Sequence, residues 1–439
     1  MNRIVLIGNG FDLAHNLPTK YHHFIDWYFT QLIAPVSQHR YLYDGSGFTI
    51  PFEELVLRID GIVDIYIEEL CKKMTTYEQF EAFRQVNGDA VKITFKNDFL
   101  KSICEFYRHT DFRWVDVENI YFDRLKGIIK NENVRSAKEK VQVLNDEVGR
   151  IEKTLGLYLQ WMDRNVSAPK PDPNIMQHIF SIIDPGEISV SGFDAYKDSL
   201  LAEIRAYVNL DERDKQNAIN SKRVIFPTGV LLRREWNDEF LSRGTDWLTT
   251  AKTSEFLRHL VPAYFLLPEK VLFLNFNYTY TDILYANSIT KHLHIHGEIN
   301  ENKNNPIVLG YGDEFCEEYQ ILERYADNSY LGKIKSSRYL QTNNYREFLE
   351  FMESGPYQVI VMGHSCGNTD RTLLRTLFEH DNCLSIKPYY YIDQAGNDNY
   401  GDLSMSISRI FSDKAKMRDR VVNKTKCQPM SKSSRISVG

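Results

Sequence analysis

Apolar positions along this chain follow two rhythms. At the two ends they form short unbroken runs, and through the middle they recur every three or four residues. Arg3-Ile4-Val5-Leu6-Ile7 is the first run, and Val271-Leu272-Phe273-Leu274-Asn275-Phe276 is the most apolar. Ile307–Gly310, Gln358–Gly363, Leu384–Ile386 and Tyr389–Ile392 follow, with His292–His296 as an alternating stretch that ends at Gly297. Short β-branched runs of this kind predict buried parallel strands.

The middle reads as helix. Phe52, Leu55, Val56, Ile59, Ile62, Val63, Tyr66 and Leu70 fall on one helical face. Phe99, Ile103, Phe106 and Tyr107 predict a second helix, and Trp114, Val117, Ile120, Tyr121, Leu125 and Ile128 a third. Val141, Leu144, Val148, Ile151, Leu155, Tyr158 and Met162 then alternate spacings of three and four. That is a heptad seam of about three repeats. One long helix in a helical hairpin is the preferred reading, and a dimerising coiled coil is the alternative. Pro169, Pro171 and Pro173 end it. Further helices are expected near Leu200–Val208, Trp236–Leu241 and Phe256–Phe265, and Asn368 or Thr369 would cap one carrying Leu373, Leu374, Leu377 and Phe378. Residues past Lys414 are basic and serine-rich, which predicts a mobile tail.

With strands at both ends and helices between, the expected architecture is α/β. Residues 1–21 and 266–395 would share one parallel, nucleotide-binding-type sheet, 22–265 would be a large all-helical insertion, and 396–439 a terminal helix and tail.

Composition narrows the class. Of 439 residues, 43% are hydrophobic and 13% aromatic, which is a globular balance. A net charge of −6 lacks the basic footprint of nucleic-acid binding. No apolar stretch reaches bilayer length and no leader pattern opens the chain, so no membrane role is expected. Cys71, Cys104, Cys316, Cys366, Cys383 and Cys427 are scattered without a Cys-x-x-Cys, the pattern of reduced thiols in the cytoplasm.

Candidate chemistry gathers at strand ends: Gly8–Asp12, Asn275–Asp282, His294–Gly297 and Gly363–Asp370. Ligands of open α/β sheets bind outside the carboxyl ends of strands. Gly8 and Gly10 fit a turn that lets a phosphate approach the backbone, or a plain tight turn. Exchanging both for alanine would, on the first reading, abolish binding and spare the fold. His292, His294 and His296 alternate, so their rings would share one face. One acid/base histidine, His296 at the strand end, and two held by hydrogen bonds are expected rather than a metal site. Asn277 could hold a hydroxyl or cap a helix. Gly363-His364-Ser365 could bind a ribose or phosphate or simply turn the chain. Asp116 and Glu118, behind Trp114, suit a helix dipole.

In this order the motifs resemble the bacterial AbiH proteins, the abortive-infection family of phage defence. The resemblance rests on Gly8-Asn9-Gly10-Phe11-Asp12 with Leu17-Pro18-Thr19-x-Tyr21, Trp114-x-Asp116-x-Glu118-Asn119, Asn275-Phe276-Asn277-Tyr278-Thr279, His294-x-His296-Gly297, and Gly363-His364-Ser365 with Asp370. More distantly they are similar to the sirtuin-like NAD-binding fold. Gly8, Gly10, Leu17 and Pro18 match its opening, Asn277 its Asn-x-Asp, His296-Gly297 its catalytic His-Gly, and Gly363 and Ser365 its Gly-x-Ser. Asp12 replaces a serine, Thr279 stands where an aspartate is usual, and the zinc cysteines are missing, which argues against deacetylation.

The resemblance implies a sirtuin- or Rossmann-like sheet that binds NAD or a related nucleotide. Gly8, Asn9, Gly10, Phe11, Asp12, Pro18, Thr19, Asn277, Tyr278, Gly363, His364, Ser365 and Asp370 would hold the ligand. Asn277 and His296 would catalyse hydrolysis of the nicotinamide–ribose bond, with no metal. A phage-derived trigger and self-association through the helical insertion are the implied partners. The rival readings are a metal-dependent phosphoesterase or nuclease using Asp12, His294, His296 and His364, and a non-catalytic nucleotide sensor working with a partner.

Overall fold

A computed structural model of the chain describes residues 1–33, 42–51, 53–61, 76–107, 113–132, 134–225, 261–299 and 304–431. The helices expected at Ile62–Leu70, at Trp236–Leu241 and over most of Phe256–Phe265 lie outside these residues, as does the chain end past 431. Among the described residues, no helix is long and apolar enough to cross a membrane.

The chain divides into two compact units, residues 1–17, 168–306 and 338–439 in one, residues 18–167 and 307–337 in the other. The first carries a parallel five-stranded sheet. Its strands are β1 (Asn2–Ile7), β6 (Val271–Asn275), β7 (Thr290–His294), β8 (Tyr357–Met362) and β9 (Cys383–Tyr389), in the spatial order β7-β6-β1-β8-β9. β1 pairs in parallel with β6 on one side and β8 on the other, Ile7 opposite Asn275 and Met362. The direction of winding therefore reverses at β1.

Both faces of this sheet are covered, which is why its runs are unbroken rather than alternating. Ile4, Leu6, Leu272, Leu274, Val359 and Val361 point to one face, against the helices Asn344–Glu353, Arg371–Glu379 and Tyr400–Ile410. Val5, Ile7, Val271, Phe273, Ile360 and Met362 point to the other, against the helix Pro173–Ile179. Of the two runs expected around Lys387, Leu384–Ile386 lies in β9, and Tyr389–Ile392 contributes only Tyr389, where the strand ends. It lies at the sheet edge, where Pro388 removes no ladder bond that a further strand would need.

The expected tail is packed as far as it is described. Asp413 caps the helix Lys414–Arg420, and the buried Arg420 guanidinium donates at 2.7 Å to the carbonyls of Phe378 and His380, closing the end of the helix before them. Met430 reaches the core.

The second unit is not all helical. β2 (Leu42–Tyr43), β3 (Gly47–Pro51), β4 (Leu55–Asp60) and β5 (Val91–Phe95) form an antiparallel sheet in sequence order. Leu55, Leu57 and Ile59 are buried and alternate with half-buried Val56 and Arg58, so a period of two overrides the helical spacing that Leu55, Val56 and Ile59 also satisfy. The heptad positions Val141, Leu144, Val148, Ile151, Leu155, Tyr158 and Met162 are all buried along the helix Val134–Asn165, so the seam is used inside one chain.

Ile307–Gly310 is no strand. It belongs to the second unit, where the Glu152 carboxylate takes the Leu309 N–H at 2.9 Å. The Trp114-x-Asp116-x-Glu118 motif is structural there. Asp116 accepts the Arg113 N–H at 2.7 Å, and Glu118 pairs at 2.8 Å with Lys335, which is fully buried.

Candidate functional site

The stretches that follow β1, β6 and β8, and the end of β7, carry polar residues to the carboxyl edge of the parallel sheet. At the end of β1 the turn Gly8–Phe11 starts a short helix, Asn9–Ala14. It packs directly on the turn that follows β8. The Gly8 N–H donates to the Met362 carbonyl at 3.2 Å and the Gly10 N–H to the Gly363 carbonyl at 2.9 Å. A Cβ on Gly8 would stand 2.5 Å from the His364 Cα, and one on Gly10 2.8 Å from the Gly363 Cα. Gly363 itself has φ +73°. These contacts account for all three glycines without a ligand, and they overturn the expectation that Gly8 and Gly10 could become alanine with the fold intact.

Asp12 is buried behind this turn. The Thr279 and Thr281 hydroxyls donate to its two carboxylate oxygens at 2.7 and 2.6 Å. The Asn277 side-chain amide donates to the Gly8 carbonyl at 2.9 Å, and its backbone N–H donates to the Asn275 Oδ1 at 2.8 Å. The threonines at 279 and 281 thus do the work of fastening the loop after β6 to the first turn. Burial pushes the Asp12 carboxyl up to about 6, against the hydrogen bonds of Thr281, Thr279 and Asn277, and the nearby Asp282 charge adds to the rise.

Asp282, fully buried, sits in the opposite regime. Burial alone would raise its pKa, but hydrogen bonds from His292 and His294 outweigh it and hold the carboxyl below the usual carboxylate range. His292 Nδ1 is 2.8 Å and His294 Nε2 3.4 Å from the same Asp282 oxygen, while Asn275 holds the other at 3.0 Å. The two acids therefore oppose one another in pH. The Asp12 contribution to stability is present below the unfolded pKa near 4 and is lost as pH rises from about 4 to 6, with a slope of up to about 1.4 kcal/mol per pH unit. The Asp282 contribution is present above that unfolded pKa and is lost as pH falls below it. Denaturant titrations across pH 4–6 should flatten in Asp12→Asn, and an unchanged slope would remove Asp12 as its source.

The three alternating histidines do not share a face. β7 ends at His294, Gly297 takes φ +92°, and the His296 ring swings to the opposite core, edge-on to Phe276 at 4.8 Å. There His296 Nε2 lies 3.1 Å from Asp370 Oδ1 and 3.2 Å from the Tyr339 hydroxyl. The other Asp370 oxygen faces His364 Nε2 at 3.5 Å. His364 Nδ1 accepts the Cys366 N–H at 3.0 Å, which fixes the ring with its proton on Nε2, toward Asp370. Phe276 stands between the two imidazoles, 4.4 Å from that of His364. Cys366, next in this loop, holds φ +52°, a conformation costly for a side chain and concentrated at functional sites. His296, Asp370 and His364 thus form one buried cluster across the ends of β7 and β8.

Of the residues expected at the site, His296, His364 and Asp370 converge, and Gly8, Gly10, Phe11, Asp12, Asn277 and Gly363 make the adjoining frame. Asn9 and Ser365 are half-buried beside it, and Tyr278 gives its carbonyl to the Ile299 N–H. Asp370 was expected, but not as the bridge between two histidines, and the cap expected from Asn368 or Thr369 is not formed. Pro18 and Thr19 belong to the second unit, where their carbonyls accept from the Tyr158 hydroxyl and the Trp114 indole. Tyr339 and Thr281 escaped the sequence reading. Tyr339 carries no local signal, whereas Thr281 completes a Thr-x-Thr that could have been matched to Asp12. The metal set Asp12, His294, His296 and His364 does not meet at one point: Asp12 is held by Thr279 and Thr281, His294 faces Asp282, and His296 and His364 face Asp370. Among the described residues no group of three or more His, Cys, Asp or Glu is placed to hold a metal ion.

Residues 192–391 match the family model described as "Bacteriophage abortive infection AbiH". The match takes in β6 to β9 and the whole His296–Asp370–His364 cluster. No curated protein and no solved structure matches the chain.

Proposed function

We propose that this chain is an antiphage abortive-infection effector that binds a nucleotide at the carboxyl edge of its parallel sheet and hydrolyses NAD at the nicotinamide–ribose bond. The observation that carries the reading is the convergence of His296 and His364 on the single carboxylate of Asp370, at strand ends within the matched residues. The strand order supports it, since winding reverses at β1 and open α/β sheets bind ligands at such a reversal.

Cleaving that bond leaves positive charge on the ribose, and water must lose a proton to complete the hydrolysis. Asp370 orients His296, and His296 takes up that proton. The Asp370 carboxylate then stabilises the imidazolium formed. His364, with its tautomer fixed, keeps Asp370 charged and in place. Asn277 orients the water or a ribose hydroxyl, and the apolar wall of Phe276 limits solvent around the developing charge. The glycine turn serves by seating the loop that carries His364.

Cells expressing the chain should lose NAD, with nicotinamide appearing, after phage infection. Protection with NAD held at its uninfected level would overturn the hydrolytic reading and leave the defence role in place.

A further inference from the structure

The cluster around Asp282 lies on the other face from His296, and the mechanism above makes no use of it. Its hydrogen bonds orient both histidine rings. The Thr290 hydroxyl gives its proton to the Asn287 carbonyl at 2.9 Å and accepts the Asn287 N–H at 2.9 Å. His292 Nδ1 donates to Asp282 at 2.8 Å, and its Nε2 lies 3.1 Å from the Thr290 hydroxyl. His294 presents Nε2 to the same carboxylate, so its proton sits there and its lone pair is on Nδ1.

That Nδ1 is buried and, among the described residues, has no hydrogen-bond partner. A buried polar atom left unpaired costs folding free energy and calls for an explanation. The position is not loose, because the Asn305 and Asn344 amides both clamp the His294 carbonyl, at 3.1 and 2.9 Å. An oriented carboxylate–histidine pair with an unused lone pair, at a strand's carboxyl end, is built to accept from something.

Resting on the nucleotide reading above, we propose that His294 Nδ1 is a second ligand contact, accepting a hydrogen bond from a neutral donor of the nucleotide, a sugar hydroxyl or a base amine. A phosphate does not suit it. The nitrogen offers an acceptor to an acceptor, with the Asp282 carboxylate behind it. Tyr280 stands beside the His294 ring. Its ring is half-buried, 5.4 Å from the His294 ring and tilted by 54°, and its hydroxyl donates to Glu298 at 2.9 Å.

The test uses the full chain with ¹⁵N-labelled histidine, probed with NAD and with its hypoxanthine analogue, which lacks the base amine. NAD is expected to shift the His294 Nδ1 resonance, and His294→Gln to weaken NAD binding at least tenfold. An equal shift from the analogue assigns the contact to a sugar hydroxyl, and loss of the shift assigns it to the amine. Equal NAD affinity for wild type and His294→Gln, with an unmoved resonance, overturns the contact and leaves the nucleotide reading standing. NAD binding to neither protein overturns both. If His294→Gln does not fold, the wild-type resonance decides alone.

Discussion

Replacing His296 by alanine is expected to leave a folded chain that no longer protects cells from phage. The ring lies beside Phe276 and Tyr339 rather than in the strand ladder, since β7 has already ended at His294. Its removal therefore leaves the sheet register untouched. It takes away the group that pairs with Asp370 at 3.1 Å, and with it the proton acceptor of the proposed reaction. Loss of one acid/base group typically lowers a rate by about 10²–10⁴. NAD turnover in infected cells should fall by that order while NAD binding by purified protein persists. Asp370→Asn should fall in the same way, because an amide cannot balance the imidazolium. His292→Ala should keep most turnover, since that ring serves Asp282 on the other face. Turnover at the parental rate in His296→Ala would show that the proton goes elsewhere.

Gly363→Ala is expected to unfold or strongly destabilise the protein. Two costs add. The residue holds φ +73°, where a side chain is disfavoured by about 1–2 kcal/mol. Its Cβ would also stand 2.1 Å from the Phe11 backbone nitrogen and 2.5 Å from the Gly10 carbonyl carbon, and backbone cannot rotate away as a side chain can. Overpacking of a tight core costs about 1–3 kcal/mol. Together they reach roughly 2–5 kcal/mol, a large part of the stability of a typical domain. Urea unfolding should show the midpoint falling by that equivalent, with Gly8→Ala and Gly10→Ala in the same direction. A folded Gly363→Ala of parental stability would mean that the two turns do not pack as closely as described. The same result would return the glycines to a purely ligand-facing role.

The sequence by itself determined where β1, β6 and β8 run and where their polar ends lie, though not that Ile307–Gly310 stays out of the sheet. Ile4–Ile7, Val271–Asn275 and Gln358–Met362 are buried on both faces, and that demand is written locally as an unbroken apolar run. The long helix is equally local, since a seam of three-four spacing needs only its own turns to be recognised. The residues Leu55–Ile59 show the limit of such reading, because a few apolar positions satisfy two periods at once and only pairing with β3 and β5 selects the strand.

Tertiary structure decided the partnerships. His292 and His294 look equivalent to His296 in sequence, yet the end of β7 and the turn at Gly297 send two rings to Asp282 and one to Asp370. Tyr339 joins His296 from a segment with no motif of its own. The Gly8-Asn9-Gly10 turn is legible as a turn. Whether its glycines exist for a ligand or for another backbone depends on Gly363, far along the chain, which fills the space in front of them. Periodicity records what each residue does with its near neighbours. Charge pairing and close backbone approach are set between segments that meet only after the sheet has formed, so no local pattern carries them.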